Sequence, residues 1–399
     1  MQNPLLRRTV AQLARGLDLA FKGTALNPPR RFVRASRAER LDHEGRLRAL
    51  SLIASFYGRP EFLSTQNALL PRPAAVLPEQ TRVRSYAERG EVIDLRWPSA
   101  FEPLWTRVAV EAHVAALPDA EQQALGFTPG AVDLSRFGID RSGELRDKYL
   151  RARANQTAQA RWFRHAGGPR PCVVLIHGYL AGNYLIEERL WPIKRLFQSG
   201  LDVVISVLPL HGPRRAESRG YLPPAFPSSD PRFTIEGFRQ VVFDHRALFD
   251  FLRLTGVDAL GVMGMSLGAY SAALLATVER DLRFAVPLVP LAAIEDFAHE
   301  SGRMVGSSAE QALQRDALAR AHAPISPFSR PSLIPASHVI TVAGEADHVT
   351  GIEQAKKLAQ HFGGQLSVFH GGHLLQAGLD AALEPVWRLL AEFATSRSS

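Results

Sequence analysis

The chain has 399 residues, of which 46% are hydrophobic and 22% are charged. This length and composition fit one large α/β domain with an extension, with two domains as the alternative. They exclude disorder, collagen and a coiled coil as descriptions of the whole chain. Cys172 is the only cysteine, which excludes an intrachain disulfide and a zinc site built from clustered cysteines.

Basic residues are concentrated at the start of the chain. The net charge is +8, but residues 1–90 carry 16 basic and 7 acidic side chains, a net charge of +9, so the remaining residues sum to −1. A nucleic-acid enzyme is expected to be basic around its working site, and the bulk charge gives little support for that. We therefore predict no nucleic-acid partner.

The first 22 residues are relevant to the predicted location of the protein in the cell. No stretch of eighteen apolar residues occurs, which predicts no transmembrane helix. Arg15 and Asp18 interrupt the apolar start, so it lacks the continuous hydrophobic region of a signal peptide. The predicted location is cytoplasmic. The basic first 90 residues are expected to dock on the rest of the protein, with contact to an anionic membrane through residues 1–22 as the alternative.

Two helices are predicted near the start of the chain. Apolar residues recur every three or four positions over residues 4–21, which is the period of an amphipathic helix. The recurring residues are Leu6, Val10, Leu13, Leu17 and Phe21. A second helix is predicted from Ser36, where residues 36–39 (SRAE) match a capping box, to about Tyr57.

The sequence pattern changes near Arg89. Residues 58–90 are rich in proline and polar side chains, which predicts an irregular connection. Strand candidates begin soon after Glu91. We therefore predict a helical N-terminal extension at residues 1–89 and an α/β domain at residues 90–399.

Short apolar runs alternate with helical patterns through the rest of the chain. Strands are predicted at Val92–Trp97, Ala158–Phe163, Pro171–Ile176, Leu201–Leu208, Ala259–Met263, Phe284–Leu288, His338–Ala343 and Leu366–Phe369. Helices are predicted at about 185–198, 234–254, 267–279, 351–361 and 380–394. This alternation predicts a mostly parallel sheet that is covered by helices on both faces.

Two long stretches interrupt the alternation, and loops of such length in a compact domain are usually functional. Residues 209–233 contain Arg214, Arg215 and Arg219, and residues 291–334 end in a proline-rich segment. Both stretches are predicted to be lid-like insertions. The three arginines either bind a carboxylate or phosphate of the substrate or, as we favour, keep a lid soluble.

Residues 264–268 (GMSLG) have the form G-x-S-x-G. They follow the predicted strand Ala259–Met263 and precede a helical stretch, which is the setting that a nucleophile elbow requires. In such an elbow the serine has a strained backbone, and the flanking glycines avoid clashes with neighbouring elements. We therefore predict that Ser266 is a nucleophile. An idle serine in a glycine-rich turn is the alternative.

The loop that begins at His177 is a second candidate part of an active site. An oxyanion hole needs two backbone N–H groups aimed at the developing negative charge. The usual donors are the residue after the nucleophile and a residue of this loop, which predicts Leu267 and Tyr179. Gly178 lets the loop approach closely, and His177 itself is expected to be a packing histidine.

A serine hydroxyl is a poor nucleophile at neutral pH, so it needs a base, and the base needs an orienting carboxylate. Asp347 follows the predicted strand that ends at Ala343, and His373 follows the next predicted strand. Open α/β sheets place their sites after the carboxyl ends of strands. The order Ser266, Asp347, His373 therefore predicts nucleophile, acid and base.

Other residues are alternatives for these roles. His370 is the alternative base, but His373 is preferred because the glycines at residues 371–372 make a loop that can present it. Asp296 and Glu345 are alternative acids.

Four short motifs make residues 90–399 resemble the α/β-hydrolase superfamily of esterases, lipases, thioesterases and serine peptidases. They are HGY at 177–179, GMSLG at 264–268, GEAD at 344–347 and GGH at 371–373. Residues 1–90 match no part of that core. The resemblance implies the α/β-hydrolase fold and a serine hydrolase. The implied roles are Ser266 as nucleophile, His373 as general base and then acid, Asp347 as the carboxylate that orients His373, and the amides of Tyr179 and Leu267 as donors to the oxyanion.

Ester hydrolysis through an acyl-enzyme is the activity that we predict, because it is the commonest in the resembled group. A thioesterase or a serine peptidase on the same fold is an alternative, and so is a hydrolase-like binding protein without turnover. A peptidase is expected to hold the substrate amine with clustered acids, but residues 209–233 offer only Glu217 and Asp230. The predicted partner is a small-molecule acyl ester. No metal or cofactor motif occurs, so neither is predicted, and acyl length and oligomeric state are left open.

Overall fold

A nine-stranded, mostly parallel sheet with helices on both faces organises the part of the chain that the structure describes. The structure is a computed structural model, and it describes residues 4–26, 41–64, 66–134, 145–216 and 224–395. The strands are β1 Glu79–Tyr86, β2 Gly90–Pro98, β3 Thr157–His165, β4 Cys172–Ile176, β5 Asp202–Ser206, β6 Leu260–Met265, β7 Leu282–Leu288, β8 Ile340–Gly344 and β9 Gln365–Phe369. The predicted fold class is confirmed.

The helices of the described ranges lie before and between these strands. They are α1 Pro4–Phe21, α2 His43–Tyr57, α3 Pro60–Ser64, α4 Gln66–Leu69, α5 Arg107–Ala115, α6 Asp119–Ala124, α7 Leu145–Arg151, α8 Tyr184–Leu190, α9 Ile193–Gln198, α10 Pro231–Leu254, α11 Leu267–Ala276, α12 Ile294–Glu300, α13 Ser308–His322, α14 Ile352–Phe362, α15 Leu379–Ala382 and α16 Glu384–Thr395. No helix in these ranges is both long and apolar enough to cross a membrane.

The strand order across the sheet is β1-β2-β3-β5-β4-β6-β7-β8-β9. The pairs β1·β2, β2·β3 and β3·β5 are antiparallel, and every pair from β5 to β9 is parallel. The carboxyl ends of β4, β6, β8 and β9 therefore lie at the same edge of the sheet. The loops that carry the predicted site residues begin at this edge.

The central strands are buried on both faces, as their continuous apolar sequences predict. Along β4, Val173 and Leu175 pack into one apolar cluster, and Val174 and Ile176 pack into the other. Side chains alternate between the faces of a sheet, so each face needs its own helical cover. Helices α10 and α11 cover one face, and α9 and α16 cover the other.

The irregular connection predicted for residues 58–90 is wrong, because this segment contains β1 as well as the short helices α3 and α4. Strand β1 lies at the edge of the sheet, and its side chains are nearly all exposed. An edge strand of this kind is polar along both faces, so it shows no alternation of apolar and polar residues. The boundary predicted near Arg89 falls in the turn between β1 and β2, and the division into extension and α/β domain stays a prediction.

The second predicted helix exists, but it begins at His43 rather than at Ser36, because the described residues 41–42 are not helical. Asp42 is the N-cap, and its carboxylate accepts a hydrogen bond from the Gly45 amide at 2.8 Å. The predicted capping box at residues 36–39 lies outside the described residues.

The helix predicted at 185–198 is divided into α8 and α9 at Trp191. Proline disfavours the helical conformation of the residue before it, and Trp191 before Pro192 has an extended ψ of 144°.

The structure describes one of the two predicted insertions in full and the other only in part. Residues 291–334 contain α12 and α13, and α13 packs against α2. In the stretch 209–233, residues 217–223, with Glu217 and Arg219, lie outside the described residues. A lid role for either stretch stays a prediction.

Neither role predicted for Arg214 is correct. Its guanidinium is buried, pairs with Asp244 at 2.7 Å and donates to the carbonyls of Asn155 and Val207. Arg214 therefore binds neighbouring elements of the protein rather than a substrate or the solvent. Sequence alone does not reveal this, because its partner lies on α10, thirty residues away.

Candidate active site

The turn between β6 and α11 has the backbone of a nucleophile elbow. Ser266 has φ of 56° and ψ of −111°, a backbone conformation that residues other than glycine rarely adopt. Its amide donates to the Leu288 carbonyl at 3.0 Å, which joins the elbow to the end of the neighbouring strand β7. The sharp turn holds Ser266 at the carboxyl edge of the sheet, directly before the helix.

The two flanking glycines are required by close backbone packing. A Cβ atom at Gly264 would lie 2.0 Å from the Gly268 carbonyl oxygen, and one at Gly268 would lie 2.0 Å from the Ile176 carbonyl oxygen. Both distances are far below van der Waals contact, so no other residue fits without a shift of the backbone. The reason predicted for the two glycines therefore agrees with the structure.

Gly268→Ala is expected to destabilise the protein by about 3 kcal/mol or more, at the upper end of what overpacking costs, because the obstructing atoms are backbone of β4. Gly16→Ala is the matched control, since a Cβ at Gly16 meets nothing within 4 Å. In an exposed helix that change is expected to be neutral or to stabilise by up to about 1 kcal/mol. Urea unfolding measures both. Equal midpoints for the two variants would contradict the steric account.

The loop after β4 lies directly beside the elbow. A Cβ atom at Gly178 would lie 3.5 Å from the Ser266 Cβ and 3.4 Å from the Met265 carbonyl oxygen. The peptide that joins Gly178 to Tyr179 is therefore next to the serine. Leu267 is the first residue of α11, where an amide has no partner within the helix. Both predicted oxyanion donors thus lie at the elbow, and their catalytic role stays a prediction.

His177 packs as predicted. Its ring is buried, its Nδ1 lies 2.7 Å from the Gly178 carbonyl oxygen, and its Nε2 accepts from the Leu208 amide at 3.0 Å. Burial, helped by the charge of Arg214, lowers its pKa to about 4. A ring with both nitrogens engaged and such a low pKa is poorly suited to act as a base.

In the part of the chain that the structure describes, Asp347 and His373 are the two predicted catalytic side chains that contact each other directly. The Asp347 Oδ2 lies 2.9 Å from the His373 Nδ1, and both side chains are buried. Burial alone would raise the pKa of Asp347, but the charge of His373 and hydrogen bonds from His373 and Thr350 hold that pKa below its ordinary value. The carboxylate is therefore ionised at neutral pH and acts as an acceptor.

A tight turn fixes the orientation of the Asp347 carboxylate. Its Oδ1 accepts from the amides of Val349 and Thr350 at 2.8 and 3.0 Å, and its Oδ2 accepts from the Thr350 hydroxyl at 2.9 Å. Aspartate side chains commonly bind their own backbone two or three residues on. Sequence reasoning did not find Thr350, although the spacing Asp-x-x-Thr after a strand is a usable signal for such a turn.

The loop of His373 also reaches the elbow. Gln376 donates through one amide nitrogen to the His373 carbonyl at 3.1 Å and to the Met265 sulfur at 3.7 Å. Met265 directly precedes Ser266, so the two loops are adjacent. Within the described residues the ring of His373 bonds to Asp347 and Thr350 and not to the Ser266 hydroxyl. Such serine–histidine hydrogen bonds are often long in unliganded enzymes.

The alternative acids and base occupy other surroundings. Asp296 pairs with Arg315 at 2.7 Å and with Lys357 at 3.0 Å. Glu345 is exposed, and His370 packs against Gly378. The geometry therefore favours Asp347 over Asp296 as the partner of His373.

A further residue, Asp18 of α1, contacts the loops of both Asp347 and His373. The side chain is fully buried, and it accepts hydrogen bonds from the amides of His348, His373 and Leu374 at 3.0, 2.8 and 3.0 Å. Sequence reasoning did not assign it to the site. No local signal could have done so, because the contacts span 330 to 356 residues.

Two solved structures share this architecture over most of the chain. The acetyl xylan esterase from Paenibacillus sp. R4 superposes with a TM-score of 0.54 and 16% identity, over 84% of this chain and 93% of that one. Acetyl xylan esterase 1 from Thermoanaerobacterium sp. JW/SL YS485 gives a TM-score of 0.52 and 14% identity, over 84% and 94%. This chain has the α/β-hydrolase fold. At such low identity the likeness concerns the fold alone.

Sequence relatives of this α/β-hydrolase fold protein carry no functional description. Two uncharacterised proteins from strains of Mycobacterium tuberculosis are each 33% identical to it over 234 residues. The match covers 57% of this chain and 55% of each relative, so it spans about half the length of these curated relatives. No protein-family model matches the chain.

Proposed function

We propose that this protein is a serine hydrolase that cleaves a small-molecule acyl ester. The observation that carries the proposal is the buried contact between Asp347 and His373, 2.9 Å long, in a loop adjacent to the strained turn of Ser266. A base held by an ionised carboxylate near a serine in a strained turn is the arrangement that activates a hydroxyl for attack on a carbonyl.

The hydrogen bonds define how the base would act. An ionised carboxylate only accepts, so the His373 Nδ1 carries the proton in its contact with Asp347. Its Nε2 then holds a lone pair and takes the proton of the Ser266 hydroxyl as the oxygen attacks the ester carbonyl. The imidazolium that forms is stabilised by Asp347 and returns the proton to the leaving alcohol.

The negative charge that develops on the carbonyl oxygen needs donors at the elbow. The proposed donors are the amides of Tyr179 and Leu267. Gly178, which precedes Tyr179, lies beside Ser266, and Leu267 begins α11, whose N-terminus favours a nearby negative charge. Collapse of the tetrahedral intermediate leaves an acyl group on Ser266. A water molecule, deprotonated by His373, then releases the acid and restores the enzyme.

Ester hydrolysis is favoured over peptide hydrolysis by the surroundings of Asp230. This carboxylate caps α10 and pairs with Arg232 at 2.6 Å, so it is already engaged within the protein. The fold relatives named as acetyl xylan esterases add support for an ester with a short acyl group. Thioester hydrolysis uses the same groups and remains the nearest alternative.

A burst assay with chromogenic esters of graded acyl length tests the proposal. A serine hydrolase that loses its acyl group more slowly than it gains one gives a burst of one leaving group per chain, followed by steady turnover. Turnover of thioesters at a higher kcat/KM than of matched esters would favour the thioesterase. If the protein binds acyl compounds but hydrolyses none of them, a hydrolase-like binding protein is favoured.

Helix α1 docks on the protein, but not through the whole stripe that its sequence suggests. Ala14 and Asp18 form the buried face, while Leu13 and Leu17 remain 58% and 50% exposed. Leu13 and Leu17, two of the five apolar residues that predict an amphipathic helix, therefore do not lie on its buried face. Exposed leucines beside a basic N-terminal segment support peripheral contact with an anionic membrane as a second proposal.

Sedimentation with anionic vesicles tests this membrane contact. We expect binding at low salt that weakens at high salt and is reduced by Leu13→Glu, because charge on this face opposes burial in the interface. Leu254→Glu is the matched control, since Leu254 is a leucine of another helix, 67% exposed at the C-terminal end of α10. Binding that is insensitive to salt, or that survives deletion of residues 1–22, would contradict the proposal.

A further inference from the structure

The N-terminal helix contributes a carboxylate to the two loops that carry the predicted acid and base. Asp18 binds three backbone amides at once: His348, which directly follows Asp347, then His373 itself, and Leu374. One carboxylate therefore fixes the peptides beside both Asp347 and His373. We infer that Asp18 is a positioning residue, which sets the distance and angle between Asp347 and His373.

The loop after β9 is shaped to admit this carboxylate. A Cβ atom at Gly372 would lie 2.7 Å from the Asp18 Oδ2, 2.9 Å from the Ala346 carbonyl oxygen and 3.0 Å from the Ala14 Cβ. Glycine at this position thus lets α1 and the loops after β8 and β9 meet at one point. A side chain at residue 372 would separate them.

The contact is also buried, which makes it strong and difficult to replace. Asp18 and the adjacent Ala14 are fully buried, while the neighbouring Leu17 and Leu19 are half exposed. Water cannot substitute well for a carboxylate at such a site, so its loss leaves three amide donors without an acceptor. The loops are then expected to relax, and His373 to move relative to Ser266.

This inference rests on the proposed function, and the test separates the two. In Asp18→Ala we expect kcat for a chromogenic ester to fall about 100-fold, the loss expected from a displacement near 1 Å, while KM stays nearly unchanged. Asp18→Asn keeps one acceptor oxygen, so it is expected to recover part of kcat. Leu19→Ala, a truncation at the next and exposed position of α1, is the matched control and is expected to retain wild-type kcat.

Amide hydrogen exchange measures the same contact without any substrate. We expect faster exchange in the peptides that contain His348, His373 and Leu374 in Asp18→Ala, and no change in Leu19→Ala. If the wild type labels with a fluorophosphonate and Asp18→Ala keeps both its kcat and its slow exchange, the positioning role is wrong. Faster exchange with unchanged kcat also overturns it, because the contact would then be structural only.

The same variants also cover two other cases, a variant that fails to fold and a wild-type protein without activity. If Asp18→Ala fails to fold, Asp18→Asn carries the test, and a folded Asp18→Asn with wild-type kcat overturns the inference. If the wild type neither turns over esters nor labels, the proposed function fails. The exchange rates then still report whether Asp18 holds the two loops.

Discussion

Ser266→Ala is expected to abolish labelling by a fluorophosphonate and to lower ester turnover by about 10⁶-fold, as loss of the nucleophile does in a well-studied serine protease. The hydroxyl is the atom that bonds to the acyl group, and no neighbouring group replaces it. Mass mapping of the wild-type adduct should place one label on the peptide that contains Met265, Ser266 and Leu267.

The matched control for this variant is Ser271→Ala. Ser271 lies one turn further along α11, where its hydroxyl donates to the Leu267 carbonyl at 3.0 Å, and it is fully buried. This variant should label and turn over like the wild type. The melting temperature of Ser266→Ala should also change little, since loss of one hydroxyl has a small effect on a core of this size. Labelling retained in Ser266→Ala would point to another nucleophile.

Asp347→Asn is expected to lower kcat by about 10⁴-fold, which is the loss measured when asparagine replaces the triad aspartate in the best-studied example. The geometry gives the reason. The amides of Val349 and Thr350 donate to Oδ1, so the asparagine oxygen occupies that position and its NH₂ faces the His373 Nδ1. That NH₂ donates, so Nδ1 must accept and the proton moves to Nε2. The ring can then no longer take the serine proton.

Asp296→Asn tests the alternative acid. Asp296 pairs with Arg315 and Lys357, and burial would raise its pKa, but the hydrogen bonds and charges of these two cations hold that pKa below its ordinary value. The change should lower the melting temperature slightly and leave kcat near that of the wild type. Steady-state kinetics at saturating ester compare the two variants. A large loss in Asp296→Asn with little loss in Asp347→Asn would reverse the assignment.

The sequence predicts those parts of the site that depend on local chain geometry. The elbow of Ser266 is visible because its glycines, the preceding strand and the following helix lie within twenty residues. Asp347 and His373 could be placed together because parallel strands bring their carboxyl ends to one edge. Their catalytic roles stay predictions that the two variants above address.

Features that depend on distant contacts were not predictable in this way. Strand β1 has a polar edge-strand sequence, and its assignment depends on pairing with β2. The burial of Arg214 depends on Asp244, and the role we infer for Asp18 depends on loops near the other end of the chain. The local sequence around each of these residues is the same as that expected around a residue in contact with solvent.

The contact between Asp18 and His373 also bears on when the proposed active site can be completed during synthesis. The two residues are 355 positions apart, so at 5–20 residues per second roughly 20–70 s separate their translation. Helix α1 is made before β8 and β9, but it can meet its partners only when these strands and their loops have been made. We therefore expect catalytic competence to arise in a single late step, once the last strands have joined the sheet.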